Sequence, residues 1–228
     1  RENSITNIIL IINKYKFNLP LVLFQNRISN GYLSFSSEFS FDSKTGDLLK
    51  FKSMGKISNL QFKLLNESIL KDLNFNFDIN DKHVSLNDIN FSLDNIRLRS
   101  KIIQINKKKN YEIEGEVSNE DQKIDINLIK KIFKINQINF KNKYLNIESK
   151  NKFKFIIDNK LKIINSKINS LVKINSLGLN FDKKYLNDFV PKFEGKINFK
   201  DIELKIDYLK KNNLSINGVP KYNLDNNK

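Results

Sequence analysis

The sequence predicts an all-β chain, an elongated and curled antiparallel meander sheet with two or three short helices. Three observations predict it. Apolar and polar residues alternate through long runs, such as Leu73, Phe75, Phe77, Ile79 and then Ile89, Phe91, Leu93. Successive side chains on a strand point to opposite faces, so this pattern makes strands with one apolar and one outer, hydrated side. Polar clusters interrupt the runs about every 10 to 14 residues, the cadence of hairpins. The apolar positions hold Phe, Leu and Ile, and the chain contains no alanine at all. A sheet of around a dozen strands rarely stays flat. Bulky residues suit one that curls around an apolar groove, lined but incompletely filled; the alternative is a β-sandwich whose apolar face is simply core.

Taken in order, residues 1–16 read as a helical or irregular lead-in. A single elongated domain is expected over 17–218 and a polar tail over 219–228. Leu33, Phe35, Phe39 and Phe41 open the meander, which runs to about Lys123. Its expected turns are Ser43–Gly46, Asn80–Lys82, Lys107–Asn110 and Ser118–Asp121, rich in residues that tolerate left-handed backbone. Apolar spacing switches to the helical period near 126–134 (Ile126, Leu128, Ile129, Ile132, Phe133). It does so again near 184–190 (Tyr185, Leu186, Phe189, Val190), before Pro191. Strand pattern resumes at Phe153, Phe155, Ile157 and at Ile197, Phe199, Ile202, Leu204, Ile206. The stretch Gly55–Leu64 is echoed by Gly195–Leu204, as if sheet modules were added in series.

Composition excludes several functions. The chain of 228 residues carries a net charge of +15 with pI near 9.7, which invites a nucleic-acid partner. Against that, its arginines are only Arg1, Arg27, Arg97 and Arg99, and its lysines are spread along the strands. Arginine is the residue suited to bidentate phosphate and guanine contacts. The abundance of Lys, Asn and Ile fits an AT-rich genome, so most of the charge is read as a solvated outer face and no nucleic acid is expected. With no cysteine, neither disulfides nor thiolate sites can form. The most apolar stretch, Ile8–Ile12, is far below the roughly 20 residues of a bilayer crossing. Because it begins at Arg1, the sequence is expected to be part of a longer chain.

No catalytic set emerges. The glycines are too scattered for a phosphate loop, His83 has no second histidine, and Asp78–Asp81 lacks the later ligands of a calcium loop. Glu112, Glu114 and Glu116 share one strand face but sit among lysines, which favours ion pairs over a metal. The expectation is a non-enzyme without cofactor or metal, whose apolar face is the working part. That face comprises Leu60, Phe62, Leu64, Leu73, Phe75, Phe77, Ile79, Phe91, Leu93, Ile103, Ile105, Ile113, Phe153, Phe155, Ile197 and Phe199.

Residues 55–118 run from Gly55-Lys56-Ile57-Ser58-Asn59-Leu60 through Leu73-Asn74-Phe75-Asn76-Phe77 and Leu86-Asn87-Asp88-Ile89-Asn90-Phe91. They close with Ile113-Glu114-Gly115-Glu116-Val117. This meander resembles the AsmA-like family of Gram-negative envelope proteins, the YhdP and TamB type. The resemblance extends over about 17–218. It implies a U-shaped β-groove in the periplasm that carries phospholipid between inner and outer membranes, as one section of a longer conduit with neighbouring β-modules. It also implies an inner-membrane anchor outside this sequence, and it brings no catalytic residues. The competing expectation is a structural or adhesion module with no ligand.

Overall fold

The computed structural model describes residues 3–5, 7, 27–64, 68–133, 138–160, 162–180, 195–209 and 213–224. Its strands are β1 (Asn3–Ser4), β2 (Ile28–Phe41), β3 (Leu48–Lys63), β4 (Ile69–Asn80), β5 (His83–Leu93), β6 (Ile96–Lys107) and β7 (Tyr111–Asp125). Helix α1 (Ile126–Phe133) follows, then β8 (Asn139–Phe140), β9 (Tyr144–Ile157), β10 (Ile163–Asn180), β11 (Lys196–Leu209) and β12 (Asn213–Leu224). They form one mostly antiparallel 12-stranded sheet, not closed into a barrel, ordered β1-β2-β3-β4-β5-β6-β7-β9-β10-β11-β12, with β8 on β10. By contacts the chain divides into two compact units. Unit 1 is Arg1–Val117 with Lys152–Lys167; unit 2 is Ser118–Asn151 with Ile168–Lys228.

Unit 1 contains the long alternating runs, and three adjacent strands, β3 to β5, share one defect. The apolar phase jumps by three residues instead of two within successive strands: Ile57 to Leu60, Leu70 to Leu73, and Leu86 to Ile89. The residue just before each new phase is Asn59, Asp72 or Asp88, and each has φ of 53°. The register shifts at the same places, between Ile57/Leu60 and Leu60/Phe62 for β3–β4 and between Lys71/Asn74 and Asn74/Asn76 for β4–β5. A bulge inserts one residue into a strand, so it cancels the change of parity and returns the apolar residues to one face. Asn and Asp fill these positions because short polar side chains tolerate left-handed backbone best after glycine. Asn59 N donates to Asn74 Oδ1 (2.9 Å), Asn74 Nδ2 to the Asp72 carbonyl (2.6 Å) and Asn90 Nδ2 to the Asp88 carbonyl (3.1 Å). Asn76 Nδ2 donates to Asp88 Oδ2 (3.2 Å). The bulges are therefore stitched across three strands by side chains that also answer exposed backbone groups.

Turn chemistry accounts for the hairpins. Lys44 N and Thr45 N donate to Asp42 Oδ1 (2.7 and 3.0 Å), and Gly46 closes the turn at φ 73°. These backbone donors, Thr45 first, hold the Asp42 carboxyl below its ordinary range. Asn80 Oδ1 accepts from Lys82 N and His83 N (3.1 and 3.0 Å). Asp94 and Asn95, at φ 46° and 73°, make the two-residue turn between β5 and β6, a turn not among the expected ones.

In unit 2, Asp125 Oδ1 accepts from Asn127 N (2.7 Å) and caps α1, matching the helix expected near 126–134. The helix expected near 184–190 lies outside the described residues, as does most of the lead-in. The expected turn at Ser118–Asp121 is corrected: these residues lie inside β7. Asn119 is buried there because its Nδ2 donates to the Ile147 carbonyl (2.7 Å) and its Oδ1 accepts from Ser149 Oγ. Bonded to the neighbouring strand, a polar cluster has no need of a loop. Similarly, Val219–Leu224 belong to β12 and pair with β11, where a polar tail is expected from 219. In β11, Asp201 (φ 48°) repeats the bulge of unit 1 between Phe199 and Ile202.

If the left-handed residues set the alternation, Asn59→Gly should leave stability unchanged or slightly higher, while Asp88→Gly also loses the hydrogen bond from Asn76. Asp88→Val should cost about 1–2 kcal/mol, because a β-branched residue is poorly accommodated at this φ. Urea denaturation measures both; equal tolerance of Val and Gly contradicts the assignment.

Candidate functional site

The bulges place the apolar residues of unit 1 in transverse rows. One row runs in register Ile28–Phe62–Leu70–Leu93–Ile96 across β2 to β6. Another runs Phe35–Gly55–Phe77–Leu86–Ile103. A side chain on Gly115 would meet Ile103 Cγ1 at 2.9 Å and the Phe153 ring at 3.1 Å, so the second row continues over β7 to β9. Between the rows lie Leu33–Ile57–Phe75 and Leu60–Leu73; beyond them lies Ile79–Val84–Ile105. Phe155 stacks on Phe153 with ring centroids 5.3 Å apart.

All sixteen residues expected to line the face are half-buried. None joins the buried apolar residues of the described chain, which are Ile5, Ile89, Ile124, Ile126, Leu145 and Ile202. Leu60 to Ile113, with Phe153 and Phe155, come together in unit 1; Ile197 and Phe199 lie on β11 in unit 2. The rows also include Leu33, Phe35, Ile57, Leu70, Val84, Leu86 and Ile96, which were not among the sixteen. The same alternation identifies them once the bulges are placed. At the β2–β3 hairpin the surface becomes openly exposed: Phe35, Phe39 and Phe41 are 56–59% accessible, and Phe39 packs on Phe51 at 5.3 Å between centroids.

The face is less uniformly bulky than the missing alanine suggested, because glycine and serine supply the small positions. Gly55 lies under the Phe77 ring, and a Cβ there would be 2.5 Å from Phe77 Cζ, 2.8 Å from Phe35 Cβ and in collision with the Ser34 carbonyl. Ser53 is buried, donating to the Ser36 carbonyl (3.2 Å) and bonded to Ser37 Oγ (2.9 Å). Ser100 is buried opposite Ile89.

The candidate polar sites resolve into structural contacts. His83 begins β5, and its Nδ1 lies 2.8 Å from Asn106 Oδ1 on β6. Lys154 contacts Glu112 (2.7 Å) and Glu114 (3.4 Å), Lys152 contacts Glu116 (3.8 Å), and Lys108 contacts Glu112 (3.4 Å). Hydrogen bonds from Lys154 and then Lys108 hold the Glu112 carboxyl below its ordinary range, and Glu112 in return raises the Lys154 ammonium. Among the described residues no group of His, Asp and Glu could hold a metal ion, and no helix is long and apolar enough to cross a membrane.

Unit 2 holds a cleft of about 620 Å³ over β10, β11 and β12. The apolar residues Leu171, Leu204 and Val219 are among those lining it, as are the members of the ion pairs Lys173–Glu203 (3.5 Å) and Lys221–Asp201 (3.4 Å). The Asp201 bulge lies beside it, where β11 moves out of step with β12 between Lys200 and Glu203. Compared with known proteins, the chain matches no family model, no curated protein and no solved structure.

Gly55→Val should destabilise the protein by about 1–3 kcal/mol in urea denaturation, since ring and strand must both move. Gly46→Ala, in a turn with nothing within 4 Å, should cost about 1 kcal/mol through its left-handed backbone alone. Wild-type stability in Gly55→Val would mean that the Phe77 ring does not lie across the strand.

Proposed function

We propose that this chain is a section of a lipid-transfer conduit whose apolar face shields phospholipid acyl chains. The observation that carries the reading is the set of transverse rows of Phe, Leu and Ile in unit 1, half-buried apart from exposed Phe35 and interrupted at Gly55. A wall of this kind fits alkyl chains, which need apolar contact but no directional partner. Each fully buried methylene contributes about 0.8 kcal/mol, so a chain of about 14 methylenes covered on one side gains roughly 5–6 kcal/mol. That corresponds to a hold between millimolar and micromolar. Such a ligand is retained yet can slide, as transfer requires.

The resemblance to the AsmA-like family supports the rest of the reading. In it the sheet curls into a groove in the periplasm, held to the inner membrane by a segment outside this sequence. Phospholipid moves between the two membranes of a Gram-negative envelope, and the chain works beside further β-modules without catalysis. A structural or adhesion module is the second reading. It is favoured by the hydrogen-bonded serines and ring-covered glycines, which also suit a face packed as core.

The purified protein is expected to carry phospholipid detectable by mass spectrometry. Phe77→Glu should lose that lipid while keeping the β-sheet circular dichroism and cooperative unfolding of the wild type. Lipid-free wild-type protein, together with an unfolded Phe77→Glu, would identify the face as closed core.

A further inference from the structure

We propose that β12 is a self-pairing edge: two copies of this chain join antiparallel along Asn213–Val219, about a two-fold axis at Ile216. This stands apart from any ligand on the apolar rows of unit 1. β12 is the last strand in the sheet order and, among the described residues, pairs with β11 alone. Its other edge presents backbone N–H and C=O groups to a further strand. Sheets blunt such edges with charged side chains, and that protection is missing here. Asn213–Pro220 holds no charged residue, in a chain of which 29% is charged. Leu214, Ile216 and Val219 are 62%, 58% and 83% accessible. Pro220, with no N–H to give, ends the ladder.

Charge and sequence both select a second copy as the occupant. The chain carries +15, so most approaches between two copies are repulsive. At the first strands of the sheet order, β1 covers β2 at Tyr32 and Leu33. The rest of β2 is bordered by Lys50, Lys52 and Lys56 of β3 against one acid, Glu38. Behind Leu214–Val219, by contrast, the charged residues of β11 are Glu203, Lys205 and Asp207. Each is ion-paired, Glu203 with Lys173 (3.5 Å) and Asp207 with Lys205 (3.9 Å). A copy approaching this edge meets no unmatched lysine on the strand behind it. The strand is also self-complementary. Leu214, Ile216 and Gly218 lie opposite Tyr208, Ile206 and Leu204 on one side of the sheet, and Ser215, Asn217 and Val219 lie opposite Asp207, Lys205 and Glu203 on the other. Antiparallel pairing about Ile216 sets Leu214 of one copy beside Gly218 of the other, large against small, and Ile216 against its own counterpart. On the hydrated side Ser215 faces Asn217. Each contact recurs by symmetry, which closes the assembly at two copies.

Sedimentation velocity of the full chain over a range of concentrations tests this. A monomer–dimer equilibrium is expected, with no larger species. Ile216→Lys sets two ammonium groups opposite each other at the axis and should weaken association on the order of tenfold. Ile216→Glu should do the same, and an equimolar mixture of the two variants should associate more tightly than either alone, which separates lost pairing from lost folding. Ser40→Lys, on the β2 edge, should stay within about twofold of wild type. Because the chain has no cysteine, Ile216→Cys adds a single thiol, and the Cα separation of about 4.5–5.5 Å between directly opposed residues fits a disulfide. Diamide should therefore cross-link Ile216→Cys into a dimer and leave Ser40→Cys monomeric. A monomer at every concentration, polymers that lengthen with concentration, equal weakening by Ser40→Lys and Ile216→Lys, no recovery in the mixture, or no cross-link at Ile216→Cys would each overturn the proposal.

Discussion

The apolar rows depend on a single backbone constraint, the left-handed residue that re-phases β3, β4, β5 and β11. Without it, the three-residue jump from Leu86 to Ile89 would send Val84 and Leu86 to one face and Ile89, Phe91 and Leu93 to the other. Each of these strands would then be half apolar on both sides, and neither side could be hydrated without exposing Phe and Leu. Asn59, Asp72 and Asp88 avoid this in adjacent strands, and the side chains of Asn74 and Asn76 link the sites through Asn59 N, the Asp72 carbonyl and the Asp88 carboxylate. An αL residue carries a conformational cost, which Asn and Asp meet more readily than β-branched residues do. The same device at Asp201 re-phases β11 beside the cleft of unit 2.

From the common phase comes the division of labour between faces. One side gathers the apolar rows and tolerates bulky neighbours because Gly55, Gly115, Ser53 and Ser100 leave room for rings and branched chains. The other side is free to vary in charge: matched Lys and Glu on β7 and β9, neutral amides in the middle of β4 and β5, and the arginines at the far strand ends. Under the proposed lipid reading, half-burial of the rows is what would leave an alkyl chain a surface to hold loosely. Side chains sealed like Ile89 or Leu145 would offer it no surface.

Much of the sheet was legible in the sequence because alternation and turn chemistry are local. The Asp42 and Asn80 turns and the Asp125 cap each involve a side chain bonding backbone two or three residues on. The turn at Asp94–Asn95 was harder to see, because Leu93-Asp94-Asn95-Ile96 has almost the spacing of the bulge sequences Leu70-Lys71-Asp72-Leu73 and Leu86-Asn87-Asp88-Ile89. One left-handed residue continues the strand, and two reverse it. Ser118–Asp121 looked like a loop because its polarity is satisfied by Ile147 and Ser149, partners about thirty residues away that no local pattern announces. For the face, alternation identified the sixteen residues individually. Their assembly into rows depends on register, which the bulges fix and spacing alone leaves open.

The central claim is that the apolar rows of unit 1 form an accessible wall. Since the chain has no cysteine, single thiols report on it cleanly. The most direct measurement is the rate at which a maleimide modifies Ile103→Cys in the folded protein, compared with Ile89→Cys, which is buried, and Ser40→Cys, which is exposed. The account predicts that Ile103→Cys reacts within about tenfold of Ser40→Cys and is protected by added phospholipid. Protection equal to that of Ile89→Cys without lipid would contradict it.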